Sequence, residues 1–266
     1  MASTPIEPAS PTREIFVRKI SRADLEASLR DGYNDFLAKR GDLIFVGLLY
    51  PIIGFCAAIA ATGGSILPLL FPMLAGLSLL GPLVSTGFYQ LAKRRELGLE
   101  SSWWHFFDVF NSPSREGIIL VGILMMALFG GWLVAAGAIY GIFFGTTLPP
   151  SIGVLLTEAF TTPQGWAMML IGNAVGLVFA IIVLATSVVS LPMLIDRNVD
   201  AATAVRASLK AFAVNRSVLL GWGLRVAALL VLGAIPIFLG LAFVLPVLGY
   251  ATWHLYTRLI DRNAVP

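Results

Sequence analysis

His105 and Asp108 stand three residues apart, a spacing that on a helix brings an imidazole and a carboxylate onto one face, where they could act as acid and base. Neither a nucleophile nor a third orienting group accompanies them, so an ordinary ion pair accounts for the pattern equally well. The single cysteine, Cys56, lies in an apolar run, which leaves no CxxC pair and no intramolecular disulfide. Met125-Met126 and Met168-Met169 offer soft thioethers of the kind that bind Cu(I). Adjacent helical side chains diverge by about 100°, however, so each pair is better read as core filling. Neither GxGxxG nor GxxxxGK[ST] occurs in a strand-to-helix setting. These residues point away from an enzyme, a metal site or a bound cofactor.

Arg225 is sharper, because it interrupts a long apolar stretch and an ionisable group in hydrocarbon needs water or a partner. It is a candidate for binding an anion or lipid phosphate; alternatively its long side chain reaches back to the headgroup boundary. Asn173, with Thr186, Ser187 and Ser190 further along, could line a polar pathway or make interhelical hydrogen bonds. No Asp or Glu lies inside any expected span, which argues against a proton-driven carrier.

The elements that carry these residues follow from composition. Of 266 residues 58% are hydrophobic and only 12% charged, with a mean hydropathy of +0.86; soluble domains run near 25% charged. This is the composition of a polytopic membrane protein. Leu43 to Ala92 carries no charge at all; as one helix it would extend ~75 Å, far beyond the ~30 Å hydrocarbon core, so it must turn back, at Thr62-Gly63-Gly64-Ser65. The same reasoning along the chain gives an all-α transmembrane bundle of six spans, near 43–61, 66–92, 118–144, 166–195, 217–234 and 237–256. The last two are divided at Gly233-Ala234-Ile235-Pro236, where a single Pro-kinked helix is the alternative. Pro68, Pro72 and Pro82 are expected to delay or kink the second span. Residues 1–15 read as a disordered tail with no cleavable signal, and 16–262 as one transmembrane domain.

Net charge is +3. Its distribution explains it better than nucleic-acid binding would. Lys and Arg cluster before span 1, between spans 2 and 3, between spans 4 and 5, and after span 6, whereas the loops 62–65, 145–165 and 234–237 have none. By the positive-inside rule both termini are expected in the cytoplasm. The basic face is expected to attract anionic headgroups.

Each cytoplasmic stretch contains an amphipathic segment. Ser21 and Asp24 form a capping box, followed by the apolar stripe Leu25, Leu29, Tyr33, Phe36 and Leu37. In the third segment Ala202, Val205, Leu209, Phe212 and Ala213 keep helical spacing. The second, Trp103-Trp104-His105-Phe106-Phe107-Asp108-Val109-Phe110, puts Trp103, Trp104, Phe107 and Phe110 forward as membrane-interface residues. At an offset of 176 residues the first and third segments align, Asp24 falling on Asp200. The chain then reads as three tandem units, each a surface helix plus a hairpin of spans, near 20–92, 100–195 and 198–262. Gly137, Gly141 and Gly145, and Gly172 with Gly176, repeat every fourth residue, as at close helix contacts or a homo-oligomer seam.

The run Phe16-Val17-Arg18-Lys19-Ile20-Ser21-Arg22-Ala23-Asp24-Leu25, then Gly32-Tyr33 and Asp35-Phe36, and later Ser190-Leu191-Pro192-Met193-Leu194 with Asp196-Arg197, resembles a family of bacterial integral membrane proteins known as domain of unknown function 2189. The resemblance implies a prokaryotic inner-membrane protein with no assigned activity and no functional residues to carry over. Some members bear a cytochrome c oxidase label, but two histidines, His105 and His254, cannot supply the several ligands of a haem-copper core. The expectation is a non-enzymatic scaffold or accessory subunit that docks a protein partner or the inner leaflet. The alternative is a small permease or channel with its pathway near Asn173 and Arg225.

Overall fold

The computed structural model describes residues 15–38, 52, 67–146, 148–236 and 238–264. The expected first span apart from Ile52, its turn at 62–65, Cys56 and the tail up to residue 14 lie outside them. Among the described residues every element is helical, apart from an isolated antiparallel bridge between Val17 and Ile260. The order is α1 (Arg22–Ala38), α2 (Leu67–Glu96), a 3-10 helix (Trp103–Asn111), α3 (Arg115–Phe144), α4 (Ile152–Thr161), α5 (Pro163–Asp196), α6 (Ala201–Val214), α7 (Arg216–Ala234) and α8 (Leu241–Leu259).

Helices α2, α3, α5 and α7 are long and apolar enough to cross a membrane. They coincide with the expected second to fifth spans. Helix α8 matches the expected sixth in position and equals α7 in length, but its second half carries Thr252, His254, Thr257 and Arg258, and it is not among the candidate spans. The 217–256 stretch is two helices, not one kinked one. Between Ala234 and Leu241 the chain reverses through Phe238 at a positive φ of 63°, and Gly240 comes so close that a Cβ on it would lie 2.7 Å from the carbonyl oxygen of Gly233. Only a residue without a side chain fits there.

Prolines set the irregularities. Pro82 has no N–H to give the Ser78 carbonyl, which instead accepts from Gly81 in a tighter turn; Ser78–Leu80 is accordingly 3-10 within α2. Pro192 likewise leaves the Val188 carbonyl without its usual donor, and α5 breaks at Val188–Val189 between Pro163–Ser187 and Ser190–Asp196. The Ser208 hydroxyl of α6 then accepts from the Val189 N–H at 3.2 Å. Helix α4 falls inside what the sequence suggested was an uninterrupted loop. Its signals are present: Ser151 caps it by accepting from Val154, and Thr162 followed by Pro163 caps α5.

Outward faces of α3, α5 and α7 expose Ile142, Leu170 and Leu224, as helices surrounded by lipid do. The densest packing lies at one end of the bundle, where α1, the 3-10 helix, α6 and the ends of α2, α5 and α8 meet around Trp253, Tyr256, Leu191 and Leu25. This is also where most charges lie, and we refer to it as the charged end.

Candidate functional site

The surface helices pack on the bundle through only part of their expected apolar stripes, together with small residues beside them. On α1 the buried positions are Leu25, Ser28, Gly32 and Phe36, whereas Tyr33 and Leu37 are exposed. On α6 they are Ala204, Ala207, Ser208 and Ala211, continued by Asn215, while Ala202, Leu209 and Ala213 face outward. Small residues let these backbones come close, Leu25 and Phe36 add large buried contacts, and Tyr33, Leu37 and Leu209 stay exposed. The two buried faces superimpose at an offset of 179 residues, not 176. At that offset the caps correspond with their chemistry exchanged. In α1 Ser21 stands at the cap and Asp24 accepts from its N–H at 2.7 Å. In α6 Asp200 is the cap and accepts from the Thr203 N–H at 2.9 Å and from its hydroxyl at 2.6 Å. Bonds from Ser21 hold the Asp24 carboxyl below its ordinary pKa, and bonds from Thr203 do the same for Asp200.

The aromatic segment is a 3-10 helix, in which residues three apart eclipse. One row, Trp103, Phe106 and Val109, turns inward, with Phe106 against Gly87 and edge-on to Phe88 at 5.0 Å. The opposite row, Trp104, Phe107 and Phe110, is exposed. Of the four expected interface residues, Trp103 is therefore half-buried, stacked on Trp104. His105 and Asp108 are engaged separately: His105 Nδ1 lies 3.1 Å from the Ser102 nitrogen that it caps, and Asp108 pairs with Arg94 at 3.3 Å.

A layer of ion pairs ties the charged end together. Asp35 of α1 contacts His254 Nε2 of α8 and Arg95 Nε of α2, both at 2.8 Å. Asp31 pairs with Arg258 at 2.6 Å. Arg262 grips Glu96 through both terminal nitrogens and lies 3.8 Å from Asp196. Trp253 also donates to Glu96, and the Tyr256 hydroxyl donates to Asp196 at 2.9 Å. Lys93 donates to the last carbonyls of α5, Ile195 and Asp196, at 2.8 and 3.0 Å. Burial alone would lower the Arg262 pKa, but its bonds to Glu96 and the nearby Asp196 charge outweigh this and raise it. Ends of α2 and α5 and the segment after α8 thus each contribute one charged group, Glu96, Asp196 and Arg262, to a single cluster. Within it lie several residues of the sequence motifs: Asp35 and Asp196 make the pairs above, and the Arg197 carbonyl accepts from Ser114 at 3.0 Å. Gly32 and Phe36 form the adjoining α1 contact with α8.

Below this layer an apolar cavity of about 490 Å³ lies between α2, α5, α7 and α8. Its polar groups, Ser85, Tyr89, Ser187 and Thr252, gather toward the charged end, with Ser78 alone at the other. Neither Asn173 nor Arg225 lines it. Asn173 is exposed on α5 and donates to the Met169 carbonyl of its own helix at 2.7 Å. Arg225 turns back along α7 to the Gly221 carbonyl at 3.2 Å. The Gly137/Gly141/Gly145 series does not mark a close contact either, since a Cβ on Gly141 meets nothing within 4 Å; Gly176 alone of the five touches closely, against the Trp132 ring. The cavity and the ion-pair layer had no signal in local sequence, because their members come from helices far apart in the chain.

Residues 70–196 match the family model described as Predicted integral membrane protein (DUF2189). This is the family that the sequence resemblance named. The match takes in α2 through α5, including Ser190–Asp196, and covers just under half of the chain. It carries no assigned activity. No curated protein and no solved structure matches the chain.

Proposed function

We propose that this protein is a non-enzymatic scaffold or accessory subunit of the bacterial inner membrane, with six spans in three helix-plus-hairpin units and both termini cytoplasmic. The observation that carries this reading is the order in which the surface helices are seated. Helix α1 lies along α8, the 3-10 helix lies against the end of α2, and α6 lies against α5. Each unit's surface helix thus rests on the returning helix of another unit, in a closed cycle. Matching buried faces on α1 and α6 support the repeat.

Such a plate, held by ion pairs instead of a moving hinge, suits a docking platform. Its rim offers Trp104, Phe107 and Phe110 to the headgroup boundary. Exposed Lys19, Arg22, Arg30, Arg115 and Arg216 would attract anionic lipid, at about 1 kcal/mol per basic side chain close to the surface. A protein partner or a second copy would meet the same face.

Affinity purification from native membranes is the test. Recovery of a defined complex, together with no solute flux in proteoliposomes, supports the scaffold. Flux that Arg225 or Asn173 substitution abolishes overturns it in favour of the permease.

A further inference from the structure

The cavity beneath the ion-pair layer has a shape and polarity that name an occupant. It runs from Ser78 to Tyr89 along α2 and from Leu177 to Val188 along α5. Eleven helical steps at ~1.5 Å give a length of ~16 Å, about half of the ~30 Å hydrocarbon core and so close to one leaflet. Its volume falls within the range of about 300–1,000 Å³ typical of small-molecule sites.

Polarity is confined to one end. There the Thr252 and Ser187 hydroxyls are already bound to carbonyls of their own helices, at 2.7 and 2.6 Å. Tyr89, within hydrogen-bonding reach of Ser85 and Thr252, is left as the principal polar group, one helical turn below Lys93. Water along the apolar body would find almost no partners, whereas an unfilled void of this size is costly.

One side of the cavity is open. Helix α3 packs along both α2 and α5, closing its seams, but α7 meets α5 only sparsely, near Gly223 and Leu184. Leu177 and Leu224, both lining the cavity, remain 60% and 73% exposed, so they frame a lateral mouth between these helices.

We propose that this cavity holds one acyl chain of a membrane lipid, admitted through the α5–α7 seam, with the polar head toward Tyr89 at the charged end. This rests only on the placement of these helices in a membrane, not on the scaffold reading. The head lies next to hydroxyls and below the ion-pair layer, and the chain occupies the depth of one leaflet.

Reconstitution with phosphatidylcholine carrying a photoreactive diazirine in its acyl chain tests the assignment. Adducts are mapped by peptide mass spectrometry. Adducts on the buried lining residues Val183 and Leu248 are expected to saturate as the probe fraction rises, while those on outward Ile142 and Leu170 increase in proportion. Filling the site by Ala180→Trp with Ala227→Trp is expected to reduce lining adducts at least fivefold and leave the outward ones unchanged. Proportional labelling at all positions overturns the proposal, as does labelling confined to Ile142 and Leu170, the result if a second copy fills the seam. The saturation measurement uses the unsubstituted protein and stands even if the double variant fails to fold.

Discussion

A Cβ on Gly32 would stand 2.4 Å from the backbone nitrogen of Ala251, so α1 and α8 touch main chain to main chain. Neither neighbour can yield as a flexible side chain would. Gly32→Ala is therefore expected to lower the melting temperature of the detergent-solubilised protein, in the range of ~1–3 kcal/mol seen for overpacking. Gly141→Ala is the control: nothing lies within 4 Å of its added methyl, and helix propensity favours alanine by roughly 0.5–1 kcal/mol. Equal losses in the two variants would contradict the close contact.

Asp196 and Glu96 accept from neighbours of unequal burial. Asp196→Ala leaves the buried Tyr256 hydroxyl without its acceptor, at a cost of about 1–3 kcal/mol, and Tyr256→Phe in the same background should recover most of it. The Glu96–Arg262 pair is about a third exposed on each side, so its coupling in a double-mutant cycle is expected at or below ~1 kcal/mol. It should shrink further in high salt. A coupling insensitive to salt would show that the pair is more enclosed than its exposure indicates.

Acid should loosen the surface helices at their starts. Asp24 and Asp200 have folded-state pKa values lowered by their capping bonds. Their contribution is complete above the unfolded carboxylate value of about 3.9 and is lost as pH falls through the lower folded value. Asp24→Asn with Asp200→Asn is expected to reduce stability at neutral pH and to flatten the decline on acidification below about pH 4, followed by circular dichroism. An unchanged acid profile would argue against these caps.

Arg225 bonds its own helix, one turn toward the charged end. Arg225→Lys and Arg225→Leu are both expected to leave the melting temperature in lipid within about 0.5 kcal/mol of the parent, the size of ordinary surface changes. A loss of several kcal/mol would mean that the guanidinium is held by something further.

Orientation has a direct measurement. In a Cys56→Ser background, Ile152→Cys on α4 is expected to react with a membrane-impermeant thiol reagent in intact cells. Leu99→Cys at the charged end should react only after lysis. The reverse pattern would invert the topology.

The apolar runs were legible because a hydrocarbon solvent imposes length and uninterrupted apolarity on each helix locally, so α2, α3, α5 and α7 emerge from hydropathy alone. Pro82 and Gly233 announced their breaks in the same way. Burial on α1 and α6 was only partly legible from residue size: Leu25 and Phe36 turn inward as members of an apolar stripe should, but Tyr33 and Leu209 remain outside while Gly32 and Ala211 make the protein contact. Asp35 with His254 and Glu96 with Arg262 are separated by 219 and 166 positions, distances over which charge pattern in a single sequence carries no pairing information.

The seating of α1 on α8 bears on biogenesis. The segment that leaves the ribosome early has its resting place made more than two hundred residues later, as the 230-residue separation of Ser28 and Arg258 illustrates. Until then its Gly32 face has no mate among the helices already made. The contact between α1 and α8 can therefore form only after Leu241–Leu259 has been synthesised, and a polypeptide halted before Leu241 would leave that side of α1 uncovered.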